Sequence, residues 1–136
     1  MTSKKLTVDA ELEKLQRETF GYCLHETNPA NGLVIDKTAK DWPCSIAATG
    51  LALACYPVGV ERGFMSRAAG VERTLVILRF FWNSPQGPEP DATGFKGFYY
   101  HFLDMKTGRR ACQCKIASCM PFLKAEFNFL AGRHAG

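Results

Sequence analysis

The sequence lacks the short signatures that mark several common chemistries. It has no Gly-rich phosphate loop, no dinucleotide fingerprint and no nucleophile elbow, which sets aside nucleotide-dependent and α/β-hydrolase reactions. None of its six cysteines form a Cys-x-x-Cys pair, so zinc-ribbon spacing is missing. Cys23, Cys44, Cys55, Cys112, Cys114 and Cys119 read as free thiols. Cys112, Cys114 and Cys119 with His101 can be sketched as a metal site, but the expectation is no metal and no other cofactor. Long apolar runs are missing too. The longest uncharged segment, Trp42 to Val60, is broken by Pro43, Pro57 and Gly59 and cannot serve as a membrane span. Met1 to Lys5 is polar rather than an apolar leader, so a soluble, cytoplasmic protein is expected.

What is present is enough for one ordinary domain: 136 residues, 46% of them apolar. The net charge of +4 is unevenly spread. Residues 1–104 carry 11 basic and 12 acidic side chains, whereas residues 105–136 carry 6 and 1. The body is therefore no polyanion binder, and the excess marks either a basic patch or a tail foreign to the domain.

Periodicity gives a mainly α protein. Leu12, Leu15, Thr19 and Tyr22 recur at helical spacing from Asp9 to about Tyr22, with Thr7 or Asp9 as N-cap and one face buried. Asn28-Pro29, Asn31-Gly32 and Asp41-Trp42-Pro43 then make Glu26 to Pro43 a long loop, and long loops in compact domains are usually functional. Ser45 caps a second helix, Ile46 to Tyr56, which carries no charge and should be buried on all sides, with Pro57 and Gly59 ending it. A third opens at Ser66 and runs to Trp82, its inner stripe Val71, Leu75, Leu78 and Trp82. A β-hairpin follows, Gly97 to Leu103 and Arg109 to Cys114, with Gly108 left-handed in its turn. A last helix spans Pro121 to Leu130. Alternation of an outer amphipathic helix with an all-apolar inner one is what an α/α toroid demands, though a plain helical bundle fits the same pattern.

The hairpin concentrates the chemistry. Phe95, Phe98, Tyr99, Tyr100 and Phe102 surround His101 and Asp104, a mixture able to stack on a flat ligand and hydrogen-bond to it. Sugars and nucleic-acid bases are both such ligands, and packing of alternate aromatics is the bland reading beside them. Lys96 to Phe102 superficially resembles the first ribonucleoprotein strand of an RNA-recognition motif. Tyr99 and His101 fall where that motif wants a small and a β-branched residue, so no nucleic-acid partner is expected.

Five segments occur in an order that resembles the N-terminal part of the bacterial glucoamylase-like domain family. They are Gln16-Arg-Glu-Thr-Phe-Gly-Tyr22, Asn28-Pro-Ala-Asn-Gly-Leu-Val34 with Asp36, Ser45-Ile-Ala-Ala-Thr-Gly50, Gly59-Val-Glu-Arg-Gly-Phe-Met-Ser-Arg67 and Gly97 to Ala111. Relatives of that family include β-1,2-glucan-degrading enzymes and a domain of cyclic glucan synthases. The resemblance implies part of an (α/α)6 toroid with one β-hairpin and a glucan bound across one face. Residues 1–8 are then an N-terminal extension, 9–114 the N-terminal part of the glucoamylase-like domain, and 115–136 a divergent basic tail. Asp36, Trp42, Tyr99, Tyr100 and His101 are the implied sugar-binding residues.

The departures from the family pattern fall after the arginine pair. Cys112 stands for a tryptophan, Lys115 for the glutamate that looks like the family's general acid, and Met120 for an aspartate. Glycoside hydrolysis uses two positioned carboxyl groups, and a lysine cannot replace either. No catalytic residue is therefore assigned. The expectation is an incomplete, inactive piece whose unpaired apolar helix promotes self-association.

Overall fold

The computed structural model describes residues 2–111 and 116–117, with only the backbone described at 2–7 and 116–117. Helix α1 spans Thr2–His25 and α2 spans Ile46–Glu61; α3 spans Arg67–Asn83. The short strands are β1 (Cys44–Ser45), β2 (Gly94–Phe95), β3 (Phe98–Tyr100), β4 (Phe102–Leu103) and β5 (Ile116–Ala117). The expected helix from Pro121 to Leu130 lies outside the described residues, as do Cys112, Lys115, Cys119 and Met120.

α1 begins well before Asp9, because no proline or glycine precedes that residue to stop helix propagation, so neither Thr7 nor Asp9 caps it. Residues 8–19 are all exposed, the expected inner stripe included, Leu12 by 52% and Leu15 by 59%. The Arg17 guanidinium lies 4.5 Å from the Phe64 ring centroid, and among the described side chains of the helix the buried ones come only in its last two turns. The Phe20 ring lies where a Cβ on Gly59 would sit, and the Tyr56 hydroxyl donates to the Cys23 carbonyl at 3.5 Å. Residue 20 therefore meets 59 and residue 23 meets 56, an antiparallel pair.

Pro57 does not end α2. It leaves the Leu53 carbonyl without its helical partner, and the helix continues to Glu61. Gly63, at φ 68°, makes the turn into α3, whose Ser66 cap accepts from the Ala69 N–H at 3.1 Å. α3 then runs back along α2 with Gly70 against Val60. Its buried face is Gly70, Ile77 and Phe81, while Val71, Leu75 and Trp82 are exposed. The sequence is apolar on two sides of this helix, and Gly70 and Gly32 decide which side docks, because they let Val60 and Ile77 close in.

Successive outer, inner and outer helices make this part of an α/α toroid. α2 is not buried on all sides, however. Leu51 is 63% and Val58 57% exposed, so the inner helix has a bare apolar flank.

The strands form two small antiparallel sheets, β1–β4 and β2–β3–β5. The hairpin closes earlier than expected: β2 pairs β3 around Lys96-Gly97, both at positive φ. The Asp104–Gly108 turn is retained with a single bridge, Leu103 to Arg110, and Gly108 is left-handed at φ 68°. β4 leaves the hairpin and pairs β1, Cys44 opposite Leu103 and Ser45 opposite Phe102.

Candidate functional site

The loop between α1 and β1 folds in two halves. In the first, Asn28 Oδ1 accepts from Ala30 N at 2.9 Å and Asn31 Oδ1 from Leu33 N at 3.0 Å. Both amide groups then turn outward and donate to one acceptor, the Met105 carbonyl, at 2.7 and 3.0 Å. The second half is the turn that presents Trp42. Asp36 N donates to the Pro43 carbonyl at 3.0 Å, and Asp41 takes φ 55° to reverse the chain.

Asp36 and Trp42 are brought together here. The indole Nε1–H donates to Asp36 Oδ2 at 3.4 Å, and Lys37 Nζ sits 3.7 Å from the ring centroid. The ring remains 38% exposed. A carboxylate at its edge and an ammonium on one face make an amphipathic platform, suited to the apolar face and the hydroxyls of a pyranose.

His101 is joined to this turn through the β1–β4 pair. Its carbonyl accepts from Ile46 N, the first amide of α2, at 3.1 Å. Ser45, expected to cap that helix, makes no side-chain cap bond. The strand carbonyl satisfies a donor that a cap would otherwise take. The half-buried His101 ring meets Phe102 edge-on at 4.4 Å. Trp42 and His101 thus lie on segments that converge at the start of the inner helix.

The two tyrosines are enclosed instead. Tyr99 is 1% exposed, its ring edge-on to Phe81 at 4.7 Å and its hydroxyl donating to the Phe81 carbonyl at 2.7 Å. Tyr100 is buried, with the Arg110 guanidinium 4.3 Å above its ring. In this arrangement they anchor the strand and present little surface to a ligand.

The turn after β4 is nailed to the body. Besides the two asparagines on Met105, buried Thr93 donates to the Gly108 carbonyl at 2.9 Å, and Gly108 packs against the Phe80 ring. Asp104 Oδ1 accepts from Thr107 N at 2.7 Å, Thr107 Oγ1 at 2.8 Å and Lys106 N at 3.0 Å. These bonds, the Thr107 N–H foremost, hold its carboxyl below the ordinary value. A general acid needs the opposite shift.

The sequence reading missed Lys37 on Trp42, Arg110 on Tyr100, and the use of Asn28 and Asn31 as donors. Asn-Pro and Asn-Gly signal a turn, and nothing in that signal says where the spare amide hydrogens go. Among the described residues no group of three His, Cys, Asp or Glu is placed to hold a metal ion, and no helix is long and apolar enough to cross a membrane. Two concavities lie elsewhere: an apolar groove of about 510 Å³ between α1 and α2, and a mixed pocket of about 250 Å³, with Glu72 and Arg73 in its wall, between the Asn28 loop and α3. None of the five candidate residues lines either one.

No family model matches the chain. It is 28% identical over 109 residues to an exo β-1,2-glucooligosaccharide sophorohydrolase (non-reducing end) of Parabacteroides distasonis, covering 79% of this chain and 14% of that protein. It superposes on the crystal structure of a candidate glucoamylase from Bacteroides uniformis with a TM-score of 0.65 and 30% identity, covering 79% of this chain and 25% of the other. A second candidate glucoamylase, from Bacteroides fragilis, gives 0.60 and 26% over 74% and 24%. The resemblance to glucoamylase-like proteins carried by the sequence motifs therefore extends to the backbone. The chain spans about a seventh of the sophorohydrolase and a quarter of each solved structure.

Proposed function

We propose that this chain is the glucan-binding part of a glucoamylase-like glycoside-hydrolase domain and that it has no turnover of its own. One observation carries the reading: a half-exposed Trp42 is edged by Asp36 and backed by Lys37, on the turn that leads through β1 into the inner helix, whose first amide is held by the His101 carbonyl. β-1,2-Linked glucooligosaccharide is the proposed ligand, by similarity to the sophorohydrolase. Trp42 stacks on a pyranose, and Asp36 and His101 bond its hydroxyls. Tyr99 and Tyr100 support this surface from beneath.

The absence of turnover follows from the carboxylates. Asp104 is occupied by its own turn, Asp36 is engaged at the stacking platform with no second carboxylate recorded beside it among the described residues, and Lys115 stands where the acid of the family pattern falls. The test is titration of the full chain with β-1,2-linked glucooligosaccharide by isothermal calorimetry, a readout that survives the removal of either of its two tryptophans. Saturable binding is expected, weakened roughly tenfold or more by Trp42→Ala, with no release of new reducing ends. Unchanged affinity in Trp42→Ala overturns the binding surface, and hydrolysis by the purified chain overturns the inactive reading.

We also propose that the chain self-associates through the bare flank of α2, on which Leu51 and Val58 are exposed. The alternative of an RNA-stacking strand has less support, because Tyr99 and Tyr100 are enclosed and residues 1–104 carry no basic excess.

A further inference from the structure

We propose that Cys23 and Cys55 join in a disulfide that clasps α1 to α2 when the chain meets a low-molecular-weight disulfide such as oxidised glutathione. The helix register puts them across from one another. Phe20 lies on Gly59, and one turn further along α1 the Cys23 carbonyl accepts from the Tyr56 hydroxyl. Cys55 is one turn back from Gly59 on the side of α2 that faces α1, and both cysteines line the same apolar groove. Cys55 is near enough to act on the Cys23 thiol, and both cysteines are free. A glycine at the crossing lets the helices approach more closely than larger residues would, as the short span of a disulfide requires.

The two thiols differ in access. Cys23 is 7% exposed, and burial, with Cys55 as the next cause, pushes its pKa up to about 11. Cys55 is half-buried at the groove. Cys55 is therefore the first to react: its thiolate attacks one sulfur of oxidised glutathione, forms the mixed disulfide and releases one glutathione thiolate. Cys23, having lost its proton to solvent, attacks the Cys55 sulfur and expels the second glutathione thiolate. Two protein thiols are oxidised and one glutathione disulfide is reduced to two thiols, so electrons and atoms balance. Cys44 does not compete among the described cysteines, because it is fully enclosed with its sulfur 3.4 Å from the Thr49 hydroxyl.

The test treats the full chain with oxidised glutathione, traps remaining thiols by alkylation and maps the peptides by mass. A Cys23–Cys55 link is expected, with the mass of two hydrogens lost and a thermal midpoint raised by roughly 10 °C, both reversed by dithiothreitol. Cys55→Ser should form no link at Cys23 and show no rise. A stable glutathione adduct on Cys55 with Cys23 alkylatable, pairing of either residue with another cysteine, or both thiols remaining alkylatable would each overturn the proposal.

Discussion

Asp104 shows how much one carboxylate can organise without taking part in chemistry. Its Oδ1 gathers three donors from two residues, Lys106 and Thr107, which fixes the turn and lowers its pKa from 3.8. A group whose pKa is depressed in the folded state adds stability that is present above its unfolded pKa. That stability is lost as pH falls through the folded value. The contribution of Asp104 is therefore complete at neutral pH, begins to fade below about pH 4 and is gone only once pH falls below the depressed folded value. Asp104→Asn keeps an acceptor oxygen but loses the charge. Denaturant unfolding should find it less stable than the parent at pH 7, with the gap closing at pH 3. A gap that stays constant across that range would mean that the charge contributes nothing. The placement of Gly108 in this turn was legible beforehand, because Asp-x-x-Thr-Gly leaves only the glycine able to take φ 68°. The burial of Tyr99 was not. Aromatics in a short strand give no alternation long enough to say which of Phe98, Tyr99 and Tyr100 faces inward.

Among the elements, helix existence was legible and helix ends were not. α3 opens at its Ser66 cap as expected, whereas Pro57 was read as a stop and proved to lie inside α2. α2 starts on the carbonyl of His101, a contact 55 positions along the chain that no local pattern encodes. The loop from Glu26 to Pro43 was legible as a loop, but its grip on the Asp104 turn was not, since it depends on two distant segments meeting. That grip gives a prediction. Either Asn28 or Asn31 alone still supplies a donor to the Met105 carbonyl, so Asn28→Ala and Asn31→Ala should each cost about 1 kcal/mol. Removing both leaves that half-buried carbonyl with neither donor and frees the turn. A double-mutant cycle by denaturant unfolding should show the double variant losing more than the sum by roughly 0.5 kcal/mol or more. Strict additivity would show that the amides act separately.

Seen entire, the molecule is a wedge: outer helix, inner helix, outer helix, with the long loops gathered where β1 meets β4. Outer–inner alternation was legible from the charge-free stretch Ile46 to Tyr56 set between two charged helices. The bare flanks were harder to foresee, because periodicity reports which side of a helix is apolar and not whether a partner reaches it. Leu51 and Val58 belong to the groove that Leu15 and Phe20 border from α1. Sedimentation velocity should therefore find the chain associating as its concentration rises. Leu51→Glu with Val58→Glu should shift it to monomer, at little cost to folding because both side chains are exposed already. A parent chain that stays monomeric at every concentration would remove the proposed association.

The paired asparagines also bear on how this protein ages. Asn31-Gly32 is the dipeptide most prone to lose its amide, because an unhindered glycine nitrogen can attack the side-chain carbon and close a succinimide ring. Here the Gly32 nitrogen is committed to the Asn28 carbonyl at 2.7 Å, and Asn31 is held at both ends, by Leu33 N and by Met105. Ring closure requires those bonds to break. The clock therefore runs chiefly while the loop is open, and an aspartate at position 31 would record time spent unfolded. Once formed, it would set a carboxylate against the Met105 carbonyl and help keep that loop from closing again.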